Sequence, residues 1–408
     1  MNHVYRKQRK HASIILLAAL GISALGDWVY LIALNLMVLD KTGSPLAVTF
    51  LYIARPIAVI ATNLWAGSII DRINQRNMMI GLDFIRGLLV LLIPLTNNLT
   101  IVYGLVLIIY MASAMSEPTA LSYITNLIPS EKRKHFNGWR SLLDSGGFVL
   151  GPAIAGALLV VGGYKISIIL NGVSFLIAAL LIFYLPKPNK ERDSLEKPSY
   201  EMFKRDWKDV WSFSRNHRFM MLTYFLVGVI MVFVAAIDSL EAAFSTNIIM
   251  LSEIKYGLLV SIAGAGYVMG SLVLIAISHF ISFRMMIGLG AIFVGAGYVV
   301  YSFSSVMGQA ATGFFILSFF MAWMQTGFNT FVQHSIPPDR IGRVSSIYGW
   351  LEALLTIMAT IVIGFTAEFL TLQGSVIVAS VILAGLSTIL FSLSVLQDKR
   401  RRVSLLYH

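Results

Sequence analysis

Cysteine is absent from the 408 residues, which excludes disulfide frameworks, thiolate metal sites and cysteine nucleophiles. Charge is scarce: Asp, Glu, Lys and Arg supply 12% of the chain, about half the share of a soluble domain. Hydrophobic residues supply 57%, and the mean hydropathy is +0.78. Only a bilayer tolerates that balance at this length, so a soluble enzyme is excluded. A Gly-x-x-x-x-Gly-Lys-Ser/Thr phosphate loop is also missing, which argues against ATP-driven pumping by this chain alone. The glycines of Gly264-Ala-Gly266-Tyr-Val-Met-Gly270 lie inside an apolar run with no preceding strand, so they read as helix packing, not a dinucleotide loop. The seven histidines lack metal-ligand spacing, which leaves a membrane metalloenzyme or hydrolase without an evident site.

What is present is a series of apolar runs. They begin near Ala12, Pro45, Asn77, Leu99, Phe136, Lys165, Phe219, Ile254, Met285, Gly308, Ile341 and Leu372, each matching a spanning helix of about 20 residues. The first follows Arg6, Lys7, Arg9 and Lys10 without a small-residue cleavage site, and reads as a retained helix. With the N-terminus inside, 25 of the 31 Lys and Arg residues fall on cytoplasmic segments and three on the opposite side. That bias places both termini in the cytoplasm of a multi-pass protein of the cell membrane. The net charge of +11 therefore reads as topology and contact with anionic lipid, not nucleic-acid binding.

One long hydrophilic stretch interrupts the series near the middle. It divides the chain into an N-terminal six-helix bundle (1–186), a cytoplasmic linker (187–218) and a C-terminal six-helix bundle with a basic tail (219–408). Within the linker, Tyr200 to Phe213 mixes Phe203, Trp207 and Trp211 with Lys204, Arg205 and Lys208. That pattern fits an interfacial amphipathic helix or a solvated linker. The halves also repeat. Ile128-Pro129-Ser130-Glu131-Lys132 precedes Gly138-Trp139, and Ile336-Pro337-Pro338-Asp339-Arg340 precedes Gly349-Trp350. The expected fold is all-α and membrane-integral, with twelve helices in two pseudo-symmetric bundles.

An ionisable residue in a span costs roughly 2.5–3.5 kcal/mol on insertion scales and marks a functional candidate. The candidates for proton coupling or substrate binding are Asp27, Arg55, Glu117, Asp238, Glu241 and Glu352. Asp27 and Arg55 fall at similar depths on neighbouring helices, so they form either a switchable pair or a permanent salt bridge. Glu117, followed by Pro118, either binds substrate or proton or serves packing. Asp238 and Glu241, at i and i+3, share one face of a single helix, where solvent exposure is the alternative. Glu352 is a gate or a wetted helix end. Asp83 with Arg86, and Arg140 with Asp144, are expected to self-pair near the cytoplasmic ends. Trp28, Tyr30, Phe244 and Trp323 are expected to line a cavity for flat cations.

Several of these residues belong to patterns with a known likeness. Gly67-Ser-Ile-Ile-Asp71-Arg72-Ile-Asn74-Gln75-Arg76 resembles the signature loop of the major facilitator superfamily. It departs at Asn74, usually glycine, and at Gln75, usually basic. Gly147, Gly151, Pro152 and Gly156 are similar to the glycine–proline motif of that superfamily's proton-linked exporters. With Leu25-Gly26-Asp27-Trp28, Thr42-Gly43-Ser44-Pro45 and Glu117-Pro118, the chain resembles the branch of macrolide efflux proteins and the enterobactin exporter. The resemblance implies a monomeric drug–proton antiporter that exports amphipathic or cationic small molecules by alternating access. It implies no cofactor beyond the proton gradient, and partners limited to substrate, protons and membrane lipids. Two alternatives stay open: a dedicated exporter of one metabolite, such as a siderophore or lysolipid, and a non-transporting sensor or scaffold. Physically, Asp71 at a helix end is suited to dock near the positive N-terminal end of the eleventh span, around Ile341 to Val344, as a conformational latch. The alternative is a helix end with Arg72 and Arg76 as topology anchors. In the glycine–proline motif, missing side chains and one missing N–H permit close approach and a bend.

Overall fold

The computed structural model describes residues 2–42, 45–187, 200–369 and 371–406. Gly43, Ser44 and the proline-bearing start of the linker lie outside the described residues, as do the side chains of both basic tails, Pro45 and Pro152. In chain order the helices are α1 (Asn2–Thr42), α2 (Pro45–Ile70), α3 (Gln75–Leu92), α4 (Leu99–Leu127) and α5 (Arg133–Phe183). The linker holds α6 (Tyr200–Asn216), followed by α7 (Arg218–Asp238), the short α8 (Glu241–Asn247) and α9 (Glu253–Ile277). The series closes with α10 (Phe283–Ser302), α11 (Met307–Ser335), α12 (Ile341–Phe369) and α13 (Leu372–Leu406). Among the described residues no strand forms, as lipid demands of backbone that must satisfy its own polar groups. Eleven helical segments among the described residues are long and apolar enough to cross a membrane. The first limb of α5 holds another of the expected apolar runs.

The internal repeat is written in the helix starts. Pro45, Gln75, Leu99 and Arg133 each begin a helix, and Glu253, Phe283, Met307 and Ile341 begin helices at one constant offset from them. The same offset relates two N-caps. Asn74 Oδ1 accepts from the Asn77 N–H at 3.2 Å, and Ser282 Oγ accepts from the Met285 N–H at 3.2 Å. Asn74 thus has a local reason to replace the usual glycine: its side chain satisfies an orphan donor at the start of α3.

Two features correct the sequence reading of the fifth span. The backbone stays helical through Gly147–Gly156, and the break falls at Gly162 and Gly163. Gly163 has φ +66°, a left-handed conformation that glycine adopts without steric cost. The glycine–proline motif serves approach instead of a break. A Cβ at Gly151 would lie 2.5 Å from Trp28 Cβ, and one at Gly147 would lie 3.0 Å from Trp28 Cδ1. Gly156 faces open space and takes no part in this packing.

Two compact units form. One comprises Met1–Phe136, Gly146–Phe213 and Ile336–Trp350, the other Asn137–Ser145, Ser214–Ser335 and Leu351–His408. The exchanged pieces lie near the beginnings of α5 and α12, two helices that the repeat relates. The first unit is cored by Leu16, Tyr123 and Ile124 near one end and by Leu34, Ile93 and Phe175 further along. In the second, glycines bring α10 and α11 together: a Cβ at Gly290 would lie 2.6 Å from the Met324 nitrogen, and one at Gly313 2.8 Å from the Gly297 oxygen. Small residues drive such approaches in lipid, where the hydrophobic effect between helices is weak.

Gly151→Val is expected to destabilise the protein by about 1–3 kcal/mol through overpacking against Trp28, whereas Gly156→Val leaves it unchanged. Thermal unfolding in detergent checks this, and equal melting temperatures for the two variants would remove the packing role.

Candidate functional site

Three ionisable side chains of the first unit share a placement. Asp27, Arg55 and Glu117 are all solvent-accessible although they lie in apolar helices. By helical periodicity, Asp27 stands on the opposite side of α1 from exposed Leu36. Arg55 stands on the opposite side of α2 from exposed Ile53, Ile57 and Leu64. Glu117 stands on the opposite side of α4 from exposed Ile101 and Ile108. The exposed aliphatic side chains mark each helix's lipid face, so the three charges point away from lipid. Accessible charge on a face turned from lipid lines water-accessible space, one of the settings a bilayer permits.

The charges that act on Asp27 are those of Arg86, Arg55 and Asp83, in falling order of strength. Asp27 and Arg55 do not close into an ion pair; they act on one another across a gap. Asp83 and Arg86 do pair. Arg86 also reaches Ser113 Oγ at 3.4 Å and lies 4.2 Å from the Phe175 ring centre. Their expected depth needs correction: Arg86 stands eleven residues into α3, about 16 Å from its start, which is mid-span. The buried pair acts on Asp27 through its charges. Arg140 and Asp144 group with the second unit, where both act on Tyr267.

In the second unit the acids meet tyrosines. Tyr298 donates to Asp238 at 2.7 Å, and Tyr256 donates to Glu241 at 3.1 Å. Tyr301 donates to the Glu241 carbonyl at 3.1 Å. The single helical face expected for the two acids is corrected, because α7 ends at Asp238 and α8 begins at Glu241. Ser239 and Leu240 form a turn between them. Glu352, half-buried on α12, lies opposite Gly228, whose added Cβ would stand 3.6 Å from its carboxylate. The aromatic expectation is also revised: Tyr30, Phe244 and Trp323 are buried core residues. Trp323 donates its indole N–H to the Gly270 carbonyl at 3.1 Å. Only Trp28 keeps partial exposure, beside Phe148.

A separate charged network gathers where α2 ends. Asp71 accepts from the Gly342 N–H at 2.8 Å, the Arg343 N–H at 2.9 Å and Arg343 Nε at 3.1 Å. The carboxylate thus caps the first turn of α12, where unsatisfied N–H groups and the macrodipole favour a negative charge. Burial pushes the Asp71 carboxyl up to about 7, against the pull of the Arg343 and Gly342 donors. Gly67 admits the contact, since a Cβ there would lie 2.6 Å from Arg343 Cα. Arg72 takes another partner: it holds Asp206 of α6 at 2.6 and 3.0 Å, and Asp206 also accepts from Arg343 at 3.2 Å. Burial would raise the Asp206 carboxyl, but hydrogen bonds from Arg72 and Ser68 with the charges of Arg72 and Arg343 hold it below its ordinary value. Arg76 stands apart from the network. It donates to the Ile182 and Phe183 carbonyls and so caps the end of α5.

The sequence reading missed Arg343, Asp206 and Asp209 as members of this network. A signal existed for Asp206. At helical spacing it shares a face with Met202, Val210 and Phe213, all buried, and an acid in an apolar stripe asks for a cation. The linker helix is thus docked by that face, with Trp207 donating to the Leu64 carbonyl at 3.3 Å and packing edge-on against Trp350.

Helical repeats with charges turned from lipid define a membrane transporter built from like halves. The family model of the Major Facilitator Superfamily matches residues 16–360, and the chain belongs to that superfamily. It is a multi-pass membrane transporter and not an enzyme. It is 24% identical over 401 residues to the uncharacterized MFS-type transporter YfiS of Bacillus subtilis, covering 95% of this chain and 94% of the relative. It is also 24% identical over 255 residues to Multidrug resistance protein 2 of Bacillus subtilis, covering 61% of this chain and 60% of the relative. The human organic anion transporter MFSD10 shares the fold, with a TM-score of 0.78 at 14% identity over 95% of this chain and 99% of that one.

Asp71→Ala is expected to speed hydrogen exchange at the Gly342 and Arg343 amides, which lose their acceptor. Unchanged exchange at both amides would show that the carboxylate does not hold the start of α12.

Proposed function

We propose that the chain is a proton-coupled exporter of amphipathic small molecules that works by alternating access in the cell membrane, with both termini cytoplasmic. The observation that carries this reading is the accessible carboxylate of Asp27 on the face of α1 turned from lipid, with Arg86 and Arg55 as the cations acting on it. A carboxylate held near cations and open to water changes charge when a substrate or proton arrives. Substrate entering from the cytoplasm displaces the Asp27 proton, and return in the protonated form completes the exchange. Glu117 is a second carrier on the same unit, and Asp238, Glu241 and Glu352 serve the other. The likeness to Multidrug resistance protein 2 and the glycine–proline motif support export over uptake.

The Asp71 network acts as the latch in this reading. Its bonds hold the end of α2 to the start of α12 and break when the transporter opens toward the cytoplasm. The proton gradient supplies the energy, no cofactor takes part, and the working form is a monomer in contact with anionic lipid.

The test is flux. Protein in liposomes with an internal pH dye and an imposed gradient is expected to move protons when lipophilic cations, macrolides or a catecholate siderophore are added singly. A response to several marks a multidrug pump and a response to one a dedicated exporter. Asp27→Asn is expected to reduce the movement to the protein-free rate. Wild-type flux in that variant would remove Asp27 from the coupling, and silence of folded wild-type protein across the panel would overturn proton exchange.

A further inference from the structure

The first unit holds two mid-membrane arginines in different circumstances. Arg86 is buried and paired, with Asp83, Ser113 and the face of Phe175 around it and only its Nε without a hydrogen-bond partner. Arg55 is accessible and, among the described residues, makes no hydrogen bond or ion pair. It also stands on the face of α2 opposite exposed Ile53, Ile57 and Leu64, so it is not a lipid-facing side chain reaching for headgroups. A guanidinium kept in such a place has its fork of donors free for a planar oxyanion, which it binds through two parallel hydrogen bonds.

Asp27 is equally accessible and equally turned from lipid. It senses the charge of Arg55 without pairing to it. A purely cationic compound would satisfy Asp27 and be repelled by Arg55, whereas a purely anionic one would meet the reverse. A compound bearing both charges satisfies both side chains at once.

We propose that the Asp27–Arg55 surface recognises zwitterionic amphipathic compounds, with Arg55 binding a carboxylate and Asp27 an ammonium group. This deepens the exporter reading and rests on it for the direction of movement. Arg86 is held by Asp83, so it stays a fixed positive background to Asp27 and leaves binding of the carboxylate to Arg55. The substrate class narrows from cationic compounds to molecules that carry an acid and an amine on an apolar body.

The test is binding to the full-length protein in nanodiscs, measured by equilibrium dialysis with three related quinolones. Norfloxacin carries both charges, its methyl ester only the cation, and nalidixic acid only the anion. The expected result is a preference of about tenfold or more for norfloxacin over its ester, the scale of one charge-assisted contact. Arg55→Gln is expected to abolish that preference while leaving ester binding unchanged or tighter. Asp27→Asn is expected to abolish the preference over nalidixic acid, and Arg55→Lys to retain part of the carboxylate preference in a folded protein. Wild-type protein that binds the ester as tightly as norfloxacin, or does not bind norfloxacin, overturns the proposal. So does an Arg55→Gln variant with its preference intact. Proton flux without carboxylate preference leaves the exporter reading standing and removes this one; carboxylate preference without flux does the opposite.

Discussion

A charge in a membrane protein must be turned away from lipid, and the arrangement of this molecule follows from that requirement. A lipid-facing carboxylate or guanidinium has neither water nor a partner to offset its lost hydration. The chain meets the requirement in three ways. It pairs charges in the interior, as Asp83 and Arg86 do mid-span. It gives acids hydroxyl donors, as Tyr298 and Tyr256 do for Asp238 and Glu241. It turns the remaining charges toward accessible space, as with Asp27, Arg55 and Glu117. The third keeps charge within reach of something arriving from water.

The network at the end of α2 obeys the same rule with a different result. Three arginines and three aspartates are gathered there: Arg343 contacts Asp71, Asp206 and Asp209 at 3.1–3.2 Å, Arg72 joins through Asp206, and Arg340 lies 3.8 Å from Asp209. Losing one partner of a buried pair leaves an uncompensated charge and costs several kcal/mol. Such a network is strong while assembled and fails as a unit. It also gives the linker helix a purpose. Asp206 ties α6 to Arg72 and Arg343, so the connection between the sequence halves is part of the network.

Much of the fold was legible because lipid imposes a length and a composition on each span. The apolar runs, the lack of charge and the repeated Ile-Pro segments pointed to like halves, and the superfamily signature lay in the loop after α2. The candidate acids were legible for the same reason, since charge in an apolar run stands out. What was hidden depends on tertiary contact. The break at Gly162 and Gly163 falls just before the expected run from Lys165, whereas the packing that keeps the glycine–proline motif helical against Trp28 leaves no mark in the sequence. Trp323 and Phe244 read as cavity aromatics because composition does not tell a ring in the core from a ring at a surface. Asp206 was masked by the basic residues beside it, whose membrane-surface pattern hid the acid's own face. Arg343 read as one more topology cation.

Asp27, Arg55 and Glu117 face water-accessible space while their helices turn aliphatic side chains to lipid. The absence of cysteine gives a background on which single thiols can be placed without other changes. Asp27→Cys, Arg55→Cys and Glu117→Cys are expected to react with a membrane-impermeant thiol reagent, and Ile53→Cys, Ile57→Cys and Leu64→Cys to stay unmodified. Silence of the first three in folded protein, or equal labelling of all six, would contradict the account.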